Sequence, residues 1–454
     1  MNKFATFLDG HTGLAEKQNF IRPELHKRYN TKRGLRNEDG TGVLIGLTEI
    51  GEVRGYIIDD AERVPAEGLL LYRGYDLRDI VKGFQNDGRL GFDEVSYLLL
   101  FGVLPTEGEL NAFKEILGEN RTLPNNFTED MILRAPSNDI MNKLARSVLS
   151  AYSYDEKAED ISVRNVLRQS IELIARFPTM VAYGFQAKRH YYHNESLFIH
   201  APDPELSTAE NLLQLIRISR EYTPLEAETL DLALVLHAEH GGGNNSAFTV
   251  HVVSSAGTDT YSAIAAAVGS LKGPKHGGAN AKVMAMMDHI KANVDDWSSD
   301  AELGTHLRKI LRKESFDGSG LIYGMGHAVY TQSDPRAVLL KAKAKELAAE
   351  KDYSEEFALY ERIERLVPSI FQEEKNTDRP IAPNVDFYSG FVYKILGIPP
   401  ELNTPIFAIG RVPGWSAHRI EELVSGGRII RPAYKNVLGR NQYVEMSGRT
   451  TPSD

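Results

Sequence analysis

The chain of 454 residues contains no cysteine, which excludes disulfides, thiolate nucleophiles and zinc–thiolate sites together. It has no excess of positive charge either. With 52 Lys+Arg against 62 Asp+Glu the formal net charge is −10, which argues against a general nucleic-acid or anionic-membrane surface. An anionic ligand must then be gripped by a local cluster of cations. Long apolar runs are also missing. The longest, YLLLFGVL, LALVL and AIAAAV, are far too short to cross a bilayer, and the first twenty residues hold no signal-peptide core. These absences lead to the expectation of a soluble, cytoplasmic protein with no membrane or nucleic-acid partner. Nor is there a βαβ alternation, a repeat at solenoid spacing or a low-complexity linker, which sets aside doubly wound sheets and repeat arrays.

What is present is a globular composition, 42% hydrophobic and 25% charged, on a chain too long for one ordinary core, so two domains are expected. Residues 43–59 (VLIGLTEIGEVRGYIID) alternate apolar and polar side chains around Gly51, which predicts a small antiparallel hairpin, and LLLYRGYDLRDI turns into a helix near Asp76. Beyond this the period is helical. DEVSYLLLFGVL, MNKLARSVLSAYSY, SVRNVLRQSIELIARF and TAENLLQLIRISREY repeat apolar residues at three and four, and Ser207 with Glu210 forms a capping box for the last. Between Glu226 and Leu271 come EAETLDLALVLHAEH, SAFTVHVVSSAG and TYSAIAAAVGSL, the first two separated by glycines 241–243 and Asn244-Asn245. The fold class is therefore mainly α with a small N-terminal β element. The glycine break leaves His237 and His240 at a helix end. Their spacing of three, with Glu239 third in H-A-E-H, does not match a zinc helix, and no metal is expected. The polar tail after Gly439 is expected to dock on a partner or to stay mobile.

Three stretches carry chemistry. Gly273-Pro274-Lys275-His276-Gly277-Gly278-Ala279-Asn280 joins two helical segments; Pro274 cannot continue a helix and AKVMAMMDHI begins one, which places His276 in a first helical turn. The positive end of the macrodipole disfavours an imidazolium there, and a neutral histidine donates one N–H to a developing oxyanion, unless the ring is simply an interior residue. Tyr323-Gly324-Met325-Gly326-His327 forms a tight turn with His327 at its edge, and Asp334-Pro335-Arg336 follows, with Pro335 opening the helix RAVLLKAKAKELAAE. Arg336 beside His327 is suited to clamp a carboxylate, the alternative being a glycine turn with a capping arginine. In Pro383-Asn384-Val385-Asp386-Phe387, Asn384 is the expected cap and Asp386 lies in the first turn, where a carboxylate ordinarily complements the dipole. Arg411, amid the apolar PIFAIGRVPGWSAHRIEELV, is expensive to bury without a carboxylate and is a candidate anion ligand, and Arg431 sits in RIIRP.

Taken in order, LHAEHGGGNNSAFT, GPKHGGAN, GMGHAV with SDPR after it, PNVDFYSG, an arginine twenty-five residues past that aspartate and RP twenty further on resemble the citrate synthase family. These motifs run from His237 to Pro432; upstream, RGYDL and the helical plan match more loosely. The resemblance implies a two-domain helical homodimer, with residues 1–276 and 392–454 in a large domain and 277–391 in a small domain that closes on substrate. It implies condensation of acetyl-CoA with oxaloacetate through an enolate and citryl-CoA, then hydrolysis to citrate and coenzyme A, with no cofactor beyond the thioester substrate. Carried over, Asp386 would take a proton from the acetyl methyl group and His276 would donate to the enolate oxygen. His327 would polarise the oxaloacetate carbonyl, helped by His240, Arg336 and Arg411, while Arg431 would reach the oxaloacetate of the neighbouring subunit. The loop Gly318-Ser319-Gly320-Leu321-Ile322-Tyr323-Gly324-Met325-Gly326 would hold the adenine of coenzyme A through backbone groups. An ordinary aspartate, pKa about 3.9, is a feeble base for a methyl proton, so the enolate must be stabilised as it forms.

The chain departs from the family pattern at Thr331, where many relatives carry a basic residue for the coenzyme A phosphates, so the phosphate grip is expected to differ. The cysteine-bearing N-terminal module of hexameric, NADH-inhibited relatives is not recognisable, which favours a dimer without that regulation. Two rival functions stand beside this one. A 2-methylcitrate synthase would use the same residues on propionyl-CoA, since one methylene in an apolar pocket discriminates by only about 1–3 kcal/mol. A non-catalytic sensor of oxaloacetate or coenzyme A is the other, and the joint presence of His276, His327 and Asp386 speaks against it.

Overall fold

The structure is a computed structural model that describes residues 3–37, 41–59, 62–425 and 427–449. Strands β1 (Gly51–Asp59), β2 (Glu62–Tyr72) and β3 (Tyr75–Asp76) form one antiparallel sheet in that order. The remainder is helical: α1 (Lys3–Asn19), α2 (Pro23–Arg28), α3 (Leu77–Asn86), α4 (Phe92–Phe101), α5 (Glu107–Glu119), α6 (Ile140–Ala151), α7 (Val163–His193), α8 (Thr208–Ile216) and α9 (Pro224–His237). Then follow α10 (Asn245–Ser254), α11 (Thr260–Lys272), α12 (Ala279–Asn293), α13 (Asp300–Leu311), α14 (Pro335–Glu350), α15 (Ser354–Lys375), α16 (Val385–Ile395) and α17 (Asn403–Val424). A mainly-α fold with a small N-terminal sheet is what the periodicity predicts. Among the described residues no helix is long and apolar enough to cross a membrane.

The hairpin lies later in the chain than its alternation suggests. Residues 43–50 stay outside the sheet, with Leu44 and Leu47 exposed, and Gly51 opens β1 instead of sitting at its centre. The partner strand is β2, because its Leu70 and Tyr72 have a core to enter, and the Tyr72 hydroxyl donates to Val235 O near the end of α9 at 3.0 Å. Helices α7 and α17 pack on each other through the middle of the molecule. Each continues past an internal proline, Pro178 and Pro413, although a proline removes a helical hydrogen bond. Burial on both sides of each proline overrides the local cost, so α7 runs well beyond the Phe177 at which its periodic segment ends.

The sheet is also the bed on which the 327–334 loop rests. The register of β1 on β2 shifts at Gly55, and a Cβ there would stand 2.4 Å from Val329 O; one at Gly68 would stand 2.1 Å from Ser333 O. Thr331 Oγ1 donates to Gly55 O at 2.6 Å, and Ser333 Oγ accepts the Gly68 N–H at 3.1 Å. Only glycine permits so close an approach of two backbones. Gly68→Ala should therefore lower stability by about 1–3 kcal/mol through overpacking. Gly83→Ala, in α3 with nothing within 4 Å of the added methyl, should leave stability unchanged or raise it. Thermal denaturation of the two variants checks the contrast.

Candidate active site

Between α11 and α12 the turn 273–278 delivers His276. Gly277 N–H bonds to Leu271 O at 3.0 Å, and a Cβ on Gly277 would lie 2.4 Å from that same oxygen, so no side chain fits. The N-cap of α12 is Gly278, which puts His276 ahead of the helix and not in its first turn. The ring is nonetheless neutral. Burial first, and the Arg411 guanidinium second, push His276 down to about 4. Its Nε2 lies 3.0 Å from Ser246 Oγ, which accepts the Trp415 Nε1–H at 3.0 Å and stands 2.9 Å from Asn244 Oδ1. An indole N–H only donates, so the serine's single proton goes to Asn244 or to His276. Given to Nε2, it leaves the ring proton on Nδ1, the nitrogen not engaged by Ser246.

His327 is fixed by the backbone. Its Nδ1 accepts N–H groups from Val329 at 3.0 Å and Tyr330 at 3.2 Å, which forces the ring proton onto Nε2. Burial, then Arg336, hold it down to about 4, so Nε2 is a neutral donor. The Tyr330 ring covers it with centroids 4.7 Å apart, and His240 meets it edge-on at 5.2 Å. His240 is pushed well below the usual histidine range, chiefly by burial and Arg336, and its buried Nε2 has no protein partner. The preceding glycine turn joins the approach to α16. Gly326 N donates to Ala382 O at 2.7 Å, Asn384 N to Gly324 O at 2.9 Å, and Asn384 Nδ2 to Gly326 O at 2.8 Å. Gly324 takes φ +79° and Gly326 φ +88°, and a Cβ on Gly324 would stand 2.9 Å from Phe387 Cα.

Asn384 caps α16, its Oδ1 accepting the Asp386 N–H at 2.9 Å, and Asp386 sits in the first turn as its spacing predicts. Its carboxyl is not an ordinary one. Burial raises it to about 6 against the opposing pull of Arg336, with Asp334 adding to the rise. Its carboxylate is thus a stronger base than that of an unperturbed aspartate.

The two arginines differ in how much they have left to give. Arg336, buried, spends two donors on Asp334, Nε to Oδ1 at 3.0 Å and Nη2 to Oδ2 at 2.8 Å, so it is not the open clamp expected of it. Arg411 is fully buried, its Nε bonds to His237 O, and neither Nη has a partner. Its guanidinium lies 4.9 Å from the Phe407 ring centre, and burial lowers its pKa to about 10. A buried cation with two unmet donors is costly unless an anion completes it.

These groups form one constellation. Arg336 acts electrostatically on His237, His240, His327 and Asp386, and Arg411 on His237, His240 and His276. Arg431 is not brought into it within one chain. It is exposed in the extended segment beyond α17. The loop from Gly318 to Gly326 leads from α13 to His327 with positive φ at Gly318, Gly320, Gly324 and Gly326; Leu321 is exposed, whereas Ile322 and Met325 anchor it in the core. A cleft of about 500 Å³ beside Ala328 and Val329 is lined by Arg36 and Arg54. Ser246, Trp415, Tyr330 and Phe407 support the site; each lies in or beside a stretch that the sequence marks, but none of them is given a role by the sequence alone.

A strengthened base, neutral imidazole donors and an unsatisfied guanidinium are the equipment for forming an anionic carbon centre beside a bound anion. The family model described as Citrate synthase, C-terminal domain, matches residues 39–433. The chain is 36% identical over 405 residues to a citrate synthase of Haloferax volcanii, covering 88% of this chain and 94% of that one. It is 33% identical over 364 residues to a 2-methylcitrate synthase of Shewanella oneidensis, covering 80% and 87%. Among solved structures, the ternary complex of Thermoplasma acidophilum citrate synthase with carboxymethyl coenzyme A and oxaloacetate is similar at TM-score 0.74 and 26% identity, covering 92% of this chain and 99% of that one. Fold, site and likenesses define an enzyme of the acyltransferase type, which sets aside the non-catalytic sensor. The chain belongs to the citrate synthase family.

Replacing Arg411 by methionine removes a buried charge whose two Nη donors are unmet. Arg411→Met should therefore raise the melting temperature of the ligand-free protein by a few degrees while abolishing its further stabilisation by small dicarboxylates. Differential scanning calorimetry with and without the ligand measures both.

Proposed function

We propose that the enzyme condenses acetyl-CoA with oxaloacetate and hydrolyses the resulting thioester to citrate and coenzyme A. The observation that carries this reading is the carboxyl of Asp386, raised to about 6, in one electrostatic cluster with neutral His276 and His327 and with the unpaired Nη atoms of Arg411. In this scheme Arg411, Arg336 through its remaining donors, and His240 receive the oxaloacetate carboxylates. His327 Nε2–H bonds to the keto oxygen. Asp386 removes a proton from the thioester methyl group while His276 holds the oxygen that becomes the enolate. The enolate carbon attacks the keto carbon while the keto oxygen takes the His327 Nε2 proton, giving citryl-CoA, and water then cleaves the thioester to citrate and the free thiol. One preorganised donor to an oxyanion contributes roughly 3 kcal/mol and a positioned base about 10²–10⁴ in rate, so neither suffices alone.

Coenzyme A enters as substrate, and the scheme needs no further cofactor or metal. Its adenine falls to the Gly318–Gly326 loop. Its phosphates fall to the Arg36 and Arg54 cleft, because the Thr331 hydroxyl is committed to Gly55 O. Closure of residues 277–391 on the rest would exclude water until condensation. The exposed Arg431, in a C-terminal segment that also exposes Tyr434 and Leu438, suits a cytoplasmic homodimer in which it reaches the neighbouring subunit's oxaloacetate.

The second reading is 2-methylcitrate synthase, because relatives of both kinds match at comparable identity, 36% and 33%. Thiol release from acetyl-CoA and propionyl-CoA, each with and without oxaloacetate, decides between them. Oxaloacetate-dependent release with a higher kcat/KM for acetyl-CoA is expected. A preference for propionyl-CoA reassigns the substrate, and release independent of oxaloacetate overturns the condensation.

The acid limb of kcat/KM should follow the free enzyme's base. The carboxylate form of Asp386 is populated above its pKa, so activity should rise with pH through about 6, while His276 and His327 are already neutral. Asp386→Asn should lower kcat by about 10²–10⁴-fold with oxaloacetate affinity nearly intact, and the limb near pH 6 should vanish from any residual activity.

A further inference from the structure

Behind His240 and Arg411 lies a row of buried and half-buried titratable groups that the reaction scheme does not use. His418, on α17, and Glu239, in the turn after α9, are both fully buried. His418 Nε2 is 3.0 Å from Glu239 Oε1, and its Nδ1 is 3.1 Å from Nε2 of His251 on α10. The other nitrogen of His251 is 2.8 Å from Glu422 Oε2. Glu421 Oε2 stands 3.7 Å from His418 Nδ1, and Glu421 Oε1 accepts the Glu49 N–H at 2.7 Å.

Counting protons along this row gives a definite answer. A carboxylate only accepts, so Glu239 and Glu422 each take an N–H from the histidine they meet. That leaves two ring nitrogens facing each other at 3.1 Å with a lone pair apiece, a repulsive contact unless one more proton lies between them. Two rings then carry three protons, and one ring is an imidazolium. Glu239 and Glu421 both flank His418, which makes it the charged ring; although burial opposes the charge, these carboxylates raise His418 to about 9. The groups that meet it are Glu421 on its own helix, Glu239 from the α9–α10 turn and His251 from α10; Glu422 adjoins through His251, and Glu49 through Glu421. Arg411 pulls on Glu239, and Arg73 on Glu421, Glu49 and Glu239.

Glu239 precedes His240, and its Oε1 also accepts the Gly241 N–H that closes the turn. It has no room to swing away. A Cβ at Gly51 would stand 2.7 Å from its Cγ, and one at Gly414 2.6 Å from its Oε2. Stripped of the imidazolium, Glu239 would turn its uncompensated charge on Arg411. We propose that His418, as an imidazolium sharing its proton with His251, is a positioning residue for the oxaloacetate pocket. It balances Glu239, holds the His240 turn, and leaves Arg411 available to the substrate. The inference rests on the function proposed above.

The sign follows from the raised pKa: the proton's contribution is complete below the unfolded histidine value of about 6.5 and is lost as pH rises through about 9. Two arms test it on the full chain. Without substrate, the wild-type melting temperature should fall in one step that begins near pH 6.5 and levels off near 9. His418→Gln, which keeps an N–H for Glu239 but cannot titrate, should lack that step, and Glu421→Gln, at the rim of the row, should move it to lower pH. With substrate, calorimetric Kd for oxaloacetate should rise about tenfold per pH unit above 9 in the wild type and stay flat with pH in His418→Gln. A wild type with no step, or a His418→Gln variant that keeps it, overturns the proposal. So does a Zn²⁺ titration that stabilises the wild type but not His418→Gln, because the gap would then hold a metal and not a proton. Absence of oxaloacetate binding at any pH overturns the proposed function and the positioning role together, while the melting arm still decides where the proton sits.

Discussion

The ion pair between Asp334 and Arg336 is the joint on which the site turns. Asp334 accepts the Arg336 N–H as cap of α14, holds the guanidinium through both carboxylate oxygens, and accepts the Val385 N–H that opens α16. One buried carboxylate thereby fastens the helix of Arg336 to the helix of Asp386. The guanidinium it holds is a principal charge acting on four titratable groups of the site, from His237 to Asp386. Losing the carboxylate would leave a buried cation unpaired and untie two helix starts at once.

Given that fixed cation, the protonation states follow. Burial and positive charge act in the same direction on imidazoles, so His237, His240, His276 and His327 are all depressed. On Asp386 they act in opposite directions, and burial wins, leaving a carboxyl that ionises near 6. His418 is the exception that locates the limits of the cationic region. Past Arg411 along α17 the neighbours become Glu239 and Glu421, and the histidine charges instead. Environments that push like groups apart are how one fold assigns donors and bases.

Much of this was legible in the chain. The caps at Ser207 and Asn384 and the helix start near Asp76 are local, so a few residues suffice to read them, and the motif order carried the family. What escaped was set at long range. The apolar alternation of residues 43–59 is genuine, but β1 pairs with a strand whose inward side chains lie beyond it, and nothing local distinguishes Val43 from Val53. The neutrality of His276 was right and its cause was not, because enclosure and Arg411 lie far off in sequence. The carboxylate occupying the fork of Arg336 sat two residues away in SDPR, yet spacing shows a cap and not where a guanidinium bends. Ser246 and Trp415 meet across 169 positions, which no periodicity reports.

The small ladder at Met325 and Pro383 has a mechanical meaning. With Asn384 clasping Gly324 and Gly326, it welds the turn that leads to His327 to the approach of the helix that carries Asp386. The two are therefore held at a fixed spacing by bonds that do not depend on the rest of the molecule. The turn of His276 and the middle of α17 belong to a separate set of contacts, with α11, α7 and α9.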